Sequence, residues 1–183
     1  MTTKEYIIDA LKATEIEGID NLIAAMESEG FFTAPCSGQF HLCKEGGLAE
    51  HSYNVLSIMI DLNRVIGGAD MKSIILCALL HDLGKMGDHG KANYVPNILK
   101  SGKVSDSKPY ETNKDLLYID HAIRSVIIAE RYIQLTEEEE HAIIYHNGKY
   151  THIGYDLKET PLMLLLHFAD MWASRFVEVD EEE

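Results

Sequence analysis

Nine histidines in 183 residues make a large supply of imidazole, and several stand where an apolar helix face would otherwise continue. His81-Asp82 closes the run Ile74-Ile75-Leu76-Cys77-Ala78-Leu79-Leu80. A His-Asp dipeptide alone means nothing in a chain of this composition; its position gives it meaning. A carboxylate at the end of so apolar a run must meet a cationic side chain or a metal, because burying it unpaired is costly. His51 leads Val55, Leu56 and Met59 at helical spacing, and Asp170 stacks on Leu162 and Leu166. His121 precedes Val126-Ile127-Ile128, and His146 follows Ile143-Ile144. Each has an ordinary alternative, a hydrogen-bonded core histidine or an Asp that caps a neighbouring helix. Five such coincidences on five separate helices, with few cations among them, point to a shared ligand. Imidazole and carboxylate together suit Mn, Fe, Co, Ni or Zn. With no Cys in the set a closed structural zinc site is disfavoured, and positions left to water would supply a nucleophile at neutral pH.

The elements that must carry these groups read as helices. The recurring apolar period is three to four residues, and strand-like alternation is scarce. The pattern predicts helices over about 3–14, 17–29, 48–66, 70–83, 114–134, 136–148 and 161–177. The fourth is apolar all round, so it is expected at the centre, with Gly84 ending it in a left-handed conformation. Thr136 and Glu139 have capping-box spacing, and Thr160-Pro161 is a helix start. The segment 31–47 is expected as loop, and so is 86–112, which is long enough to act as a flap over the site. Residues 1–30 supply the N-terminal helices, and the acidic tail 178–183 is expected to be a solvated, frayed end. The whole chain, 1–183, therefore reads as a single all-α domain, a bundle of about seven helices around a buried site.

Net charge is −14, from 30 acids against 16 Lys and Arg. Such a surface disfavours long nucleic acid and anionic membranes as partners. One stretch runs the other way. Six of the twelve lysines lie between Lys85 and Lys114, opposed by three acids, so this segment could draw in a phosphate, with Tyr94 and Tyr110 stacking on a base. Cys36, Cys43 and Cys77 read as reduced thiols. The opening residues bring charge at once and no long apolar core follows, so no export signal is expected and the expected compartment is the cytoplasm.

The motifs Phe40-His41-(four residues)-Gly46-Gly47-Leu48-Ala49-Glu50-His51-Ser52, Leu79-Leu80-His81-Asp82-Leu83-Gly84-Lys85, Asp120-His121-Ala122-Ile123-Arg124-Ser125 and Ala142-Ile143-Ile144-Tyr145-His146-Asn147-Gly148, followed by Asp170, resemble the HD-domain superfamily of metal-dependent phosphohydrolases. The likeness is to its small bacterial and prophage members, and it spans about Ile19 to Val177. It implies that His51, His81, Asp82 and Asp170 hold one divalent transition metal. Members with two further histidines, cyclic-dinucleotide phosphodiesterases among them, usually hold two. Here that second ion would fall to His121 and His146, with Asp82 bridging. His141 lies about 140° round a helix from His146 and cannot readily join it. Asp82 and Lys85 are the expected catalytic groups. Lys85, Arg124, His41, Asn147 and Lys149 are expected around an anionic, nucleotide-like substrate, with His41 at the entrance or donating a proton to the leaving group. His167 is expected behind the ligands, and His89 and His152 at the surface. The implied reaction is hydrolysis of a small nucleotide phosphoester, with phosphate removal from a nucleoside mono- or triphosphate as the alternative. A nucleotide- or metal-binding module without turnover is the non-enzymatic alternative. Small proteins of this kind often self-associate, which adds a homo-oligomer to the expectations.

Overall fold

The computed structural model describes residues 1–148 and 157–179. Among these residues seven α-helices run in the order α1 (Thr3–Lys12), α2 (Ile19–Ser28), α3 (Gly47–Ile66), α4 (Met71–Leu80), α5 (His121–Ala129), α6 (Glu137–Ile144) and α7 (Pro161–Trp172). Helix α4 is the hub, touching α1, α3, α5, α6 and α7. From Leu76 to Leu80 every side chain is fully buried. Its all-round apolar sequence forces that placement, since any exposed face would strand hydrocarbon in water.

Local chemistry starts the helices. Thr2 and Glu5 form a capping box on α1, the expected Thr136–Glu139 box opens α6, and Thr160 caps α7 one residue before Pro161. Helix α5 is shorter than the predicted 114–134. Asp120 accepts from the Ala122 amide and begins it, and Leu117 and Tyr118 before it stand 84% and 86% exposed. That stretch has no apolar period to bury, so no helix extends through it. Helix α6 likewise stops at Ile144, short of the predicted 148, which leaves His146 just past its end.

Three other expectations are corrected. Helix α4 ends at Leu80, and Asp82 leads into a tight 3-10 turn, Leu83–Met86. Gly84 is not left-handed. Its need for glycine is proximity, because a Cβ there would sit 2.3 Å from the His121 carbonyl and 2.9 Å from Arg124 Cβ. Side-chain-free Gly84 lets α5 lie directly on the turn after the His-Asp pair. Ser125 pins the contact: its Oγ accepts from the Gly84 amide at 2.8 Å and lies 2.8 Å from the His81 and His121 carbonyls. The segment 86–112, expected as loop, instead folds into two short antiparallel hairpins. One pairs β1 (Gly87–Asp88) with β2 (Lys91–Ala92), the other β3 (Tyr94–Pro96) with β4 (Tyr110–Thr112). Strands of two and three residues are too short to show alternation in sequence. Finally, α7 runs on into a π-helical turn, Ala173–Val177, where the Glu178 amide bonds the Ala173 carbonyl five residues back. Among the described residues no helix is long and apolar enough to cross a membrane.

Candidate metal centre

Asp82 sits at the junction of α4 and the 3-10 turn with its carboxylate 1% exposed. Four imidazoles surround it, two on each side. Oδ2 lies 3.4 Å from His81 Nε2 and 3.6 Å from His51 Nε2; Oδ1 lies 3.3 Å from His121 Nε2 and 3.9 Å from His146 Nε2. Asp170 reaches in from α7, its Oδ1 3.2 Å from His51 Nε2. Five side chains, from α3, α5, α7 and the turns after α4 and α6, thus meet around the Asp82 carboxylate.

Their hydrogen bonds decide what the cluster can accept. His81 Nδ1 lies 2.9 Å from the Ala78 carbonyl and His146 Nδ1 lies 2.7 Å from that of Ile143. A carbonyl only accepts, so both rings carry their proton on Nδ1 and turn an Nε2 lone pair inward. Asn147 Nδ2, 3.2 Å from His146 Nε2, donates to that lone pair. His51 Nδ1 lies 3.0 Å from both carboxylate oxygens of Glu178, which leaves Nε2 to face His81 Nε2 at 3.3 Å. Among the described residues, Asp82 Oδ1 is buried without a hydrogen-bond partner. Lys85 meets Asp82 Oδ2 at 2.6 Å, but Asp82 Oδ1 and the inward nitrogen of His81 still present lone pairs that a further cation would satisfy. Three-ligand groups His51–His81–Asp170 and His81–Asp82–His146 each lie close enough to share an ion. The donor set fits a divalent transition metal.

Charge states follow the same logic. Burial, then the neighbouring His81, pushes His146 down to about 3, so it is neutral at pH 7. Burial also lowers His121. For His51 burial opposes protonation, but its neighbours Cys36 and the carboxylates of Asp170 and Glu178 outweigh it, and its pKa rises well above the ordinary value. Burial would raise Asp82 and Asp170. Lys85 and His81 outweigh it at Asp82, and His51 does at Asp170, so both stay ionised.

A pocket of ≈ 190 Å³ opens onto Asp170, His121 and His146. His41, Lys85 and Asn147 line it too, and so does His167, which was expected behind the ligands. Lys85 Nζ is 2.6 Å from Asp82 Oδ2, and His167 Nδ1 bonds the His146 carbonyl at 2.6 Å. Arg124 is a correction: it is not at the pocket. Its guanidinium is 3% exposed and committed to Asp88 at 3.3 Å and the Leu117 carbonyl at 2.6 Å, because α5 turns it toward β1. Tyr94 and Tyr110, half-buried in the second hairpin, do not line the pocket either. His141 stays apart, against Tyr145. Lys149 and His152 lie outside the described residues, as does the tail beyond 179.

Sequence reasoning missed three groups. Glu178, expected in a solvated tail, has its side chain 1% exposed, held by His51 and by Asn54 Nδ2 at 3.0 Å. Cys36 Sγ lies 3.4 Å from His41 Nε2 and 3.9 Å from Lys85 Nζ, and burial pushes its thiol up, so it is uncharged. Ser174 and Arg175 line the pocket from the π turn. An α-helical count from Asp170 would turn Arg175 away; the wider i→i+5 turn brings it back toward the Asp170 face.

A family model described as HD domain matches residues 48–171, a span that holds all six converging side chains. No curated protein and no solved structure matches the chain.

Proposed function

This chain belongs to the HD-domain family, and on that premise we propose that it is a divalent-metal-dependent phosphohydrolase acting on a small, nucleotide-type phosphoester. The observation that carries this reading is the buried Asp82 carboxylate, with one oxygen toward His51 and His81 and the other, unpartnered among the described residues, toward His121 and His146. That division supports two ions. One would be held by His51, His81, Asp82 and Asp170, the other by Asp82, His121 and His146. When bound, such ions supply Lewis acidity at phosphorus-bound oxygens and an acidified water.

The remaining work falls to the chain itself. Lys85, beside Asp82 and on the pocket wall, would offset charge that builds on a phosphoryl oxygen. Asp82 holds that ammonium in place and, against the opposing effect of burial, raises its pKa, so Lys85 stays cationic and cannot serve as a base. His41 stands at the mouth, and burial pushes its pKa down, which suits a neutral wall better than a proton donor at pH 7. The Ile143 carbonyl, through Nδ1, and His167, through the His146 carbonyl, orient His146, while Asn147 occupies the Nε2 lone pair that an ion would take. The ≈ 190 Å³ pocket has room for a phosphoryl group.

The test is a panel of nucleotides and nucleotide diesters with Mn2+, Fe2+, Co2+ or Ni2+, on protein purified without a nickel column. Wild type should turn over at least one member. Metal at about 100 times its dissociation constant should raise the melting temperature by about 5–10 °C. Asp82→Ala should abolish both effects. Turnover that survives Asp82→Ala, or no turnover with any metal, overturns the proposal.

A further inference from the structure

The pocket at the metal centre is too small for a nucleotide, and a second cleft adjoins it. The ≈ 190 Å³ pocket shares His41, Ser174 and Arg175 with a neighbouring cleft of ≈ 920 Å³. A phosphate fills the first; a nucleoside needs the second, whose size falls in the range of ligand sites. Phe40, Leu42, Cys43, Lys44 and the residues after Arg175 complete its walls. These positions all lie outside 48–171, so this cleft is built by parts of the chain that the family match does not cover.

Phe40 is the first sign of a ligand. The residue is 74% exposed, yet the turn that carries it is firmly tied. The Phe40 amide donates to Ser37 Oγ at 2.8 Å, Ser37 Oγ donates to the His41 carbonyl at 2.9 Å, and the Cys36 amide bonds the Leu42 carbonyl at 3.2 Å. Leu42 is held at φ 46°, a left-handed conformation unfavourable for leucine. Gly47 accepts the turn from below, where any Cβ would stand 2.0 Å from the Leu42 carbonyl. Strain of this kind is concentrated at binding turns, and here it presents an aromatic face at the cleft mouth.

Arg175 is the second. It lines both cavities and makes no hydrogen bond or ion pair among the described residues, whereas Lys44 on the opposite wall is paired with Glu50 at 2.8 Å. Glu178, the nearest acid of the cleft, turns its carboxylate inward to His51 and Asn54, where it does not repel an anion. In a chain of net charge −14 an uncommitted guanidinium at the junction of two cavities is a local attraction for anions.

We infer that this second cleft binds the rest of a nucleotide that carries a phosphate beyond the one at the metal centre, with the base stacked on Phe40 and the additional phosphate on Arg175. The inference rests on the proposed phosphohydrolase reading for the position of the first phosphate. It is tested on the full chain with Mn2+ by calorimetric titration of two slowly hydrolysed analogues, adenosine 5′-thiomonophosphate and α,β-methylene-ADP. Wild type should bind the diphosphate analogue about tenfold more tightly, as a charge-assisted contact provides. Arg175→Gln should remove most of that preference and Arg175→Lys should keep part of it. Phe40→Ala should weaken both analogues by about tenfold, within the range measured for base stacking, and Phe40→Tyr should restore them. Equal affinity for the two analogues in wild type, or a preference that persists in Arg175→Gln, overturns the role of Arg175. Unchanged affinities in Phe40→Ala overturn the role of the ring. Because binding is the readout, a chain that discriminates the analogues but hydrolyses nothing sinks the hydrolase reading and not this one, and hydrolysis without discrimination does the reverse.

Discussion

Two buried carboxylates, six residues apart, meet opposite surroundings. Asp88 has 6% of its side chain exposed and every need met. Arg131 grips it through two bonds of 2.7 and 2.8 Å, Arg124 approaches at 3.3 Å, and the His89 amide donates at 2.8 Å. Asp82, equally buried, meets one cation, Lys85 at 2.6 Å from Oδ2, and otherwise imidazoles, of which His81 and His146 turn acceptor nitrogens inward; among the described residues its Oδ1 has no hydrogen-bond partner. Guanidinium partners close an account of charge within the protein; imidazole partners leave it open for an ion from outside. The type of neighbour, rather than burial itself, separates a carboxylate that holds the fold from one that holds a ligand.

The sharpest break of this contrast is Asp88→Ala. It strands the Arg124 guanidinium in a site where only 3% of it meets solvent, and loss of one partner of such a pair costs about 3–5 kcal/mol. Chemical denaturation should show that loss, and the metal-induced stabilisation of the folded fraction should persist. If Asp88→Ala instead removes the response to metal, the two carboxylates are not separate devices. A smaller effect is expected from Glu178→Ala. Glu178 fixes the ring of His51 from behind, and removal of such a partner weakens metal affinity by about 10–100-fold. Glu178→Gln keeps an acceptor for His51 Nδ1 without the charge and should fall between. Metal titration decides; equal affinity in all three proteins would reduce Glu178 to packing.

The same contrast explains what the sequence could reveal. Asp82 and the five residues around it were legible because each interrupts or ends an apolar stretch, and a polar group in that position must answer to something. Arg124 was misread because its position one turn after His121 said nothing of its direction, which Asp88 sets from another segment. Glu178 was hidden by composition, since an acid followed by more acids reads as solvated tail. Arg175 was hidden by geometry, since a π turn changes the phase of every residue after Trp172 and leaves no mark in an apolar period. The helices that bury a face were visible in outline. Their ends were less so where no cap stood, and the hairpins of 87–112, with strands of two or three residues, left no period to find.

Acid titration sharpens the comparison further, and with the smallest effect. Hydrogen bonds from Arg131 hold the Asp88 carboxyl at about 2, below its ordinary 3.8, although burial works the other way. A carboxyl depressed on folding adds stability that is complete above its unfolded value and vanishes as pH falls through the folded one. The contribution is about 2 kcal/mol, present at neutral pH and lost between about pH 4 and pH 2. Wild type and Asp88→Asn should therefore differ by a constant margin from pH 7 to pH 5, and that margin should shrink by about 2 kcal/mol on further acidification. Any loss common to both proteins, including that from the carboxylates at the metal centre, cancels in the difference. A margin independent of pH down to 2 would mean that Asp88 is held by shape alone, and the contrast between a closed and an open carboxylate would then rest on Asp82 by itself.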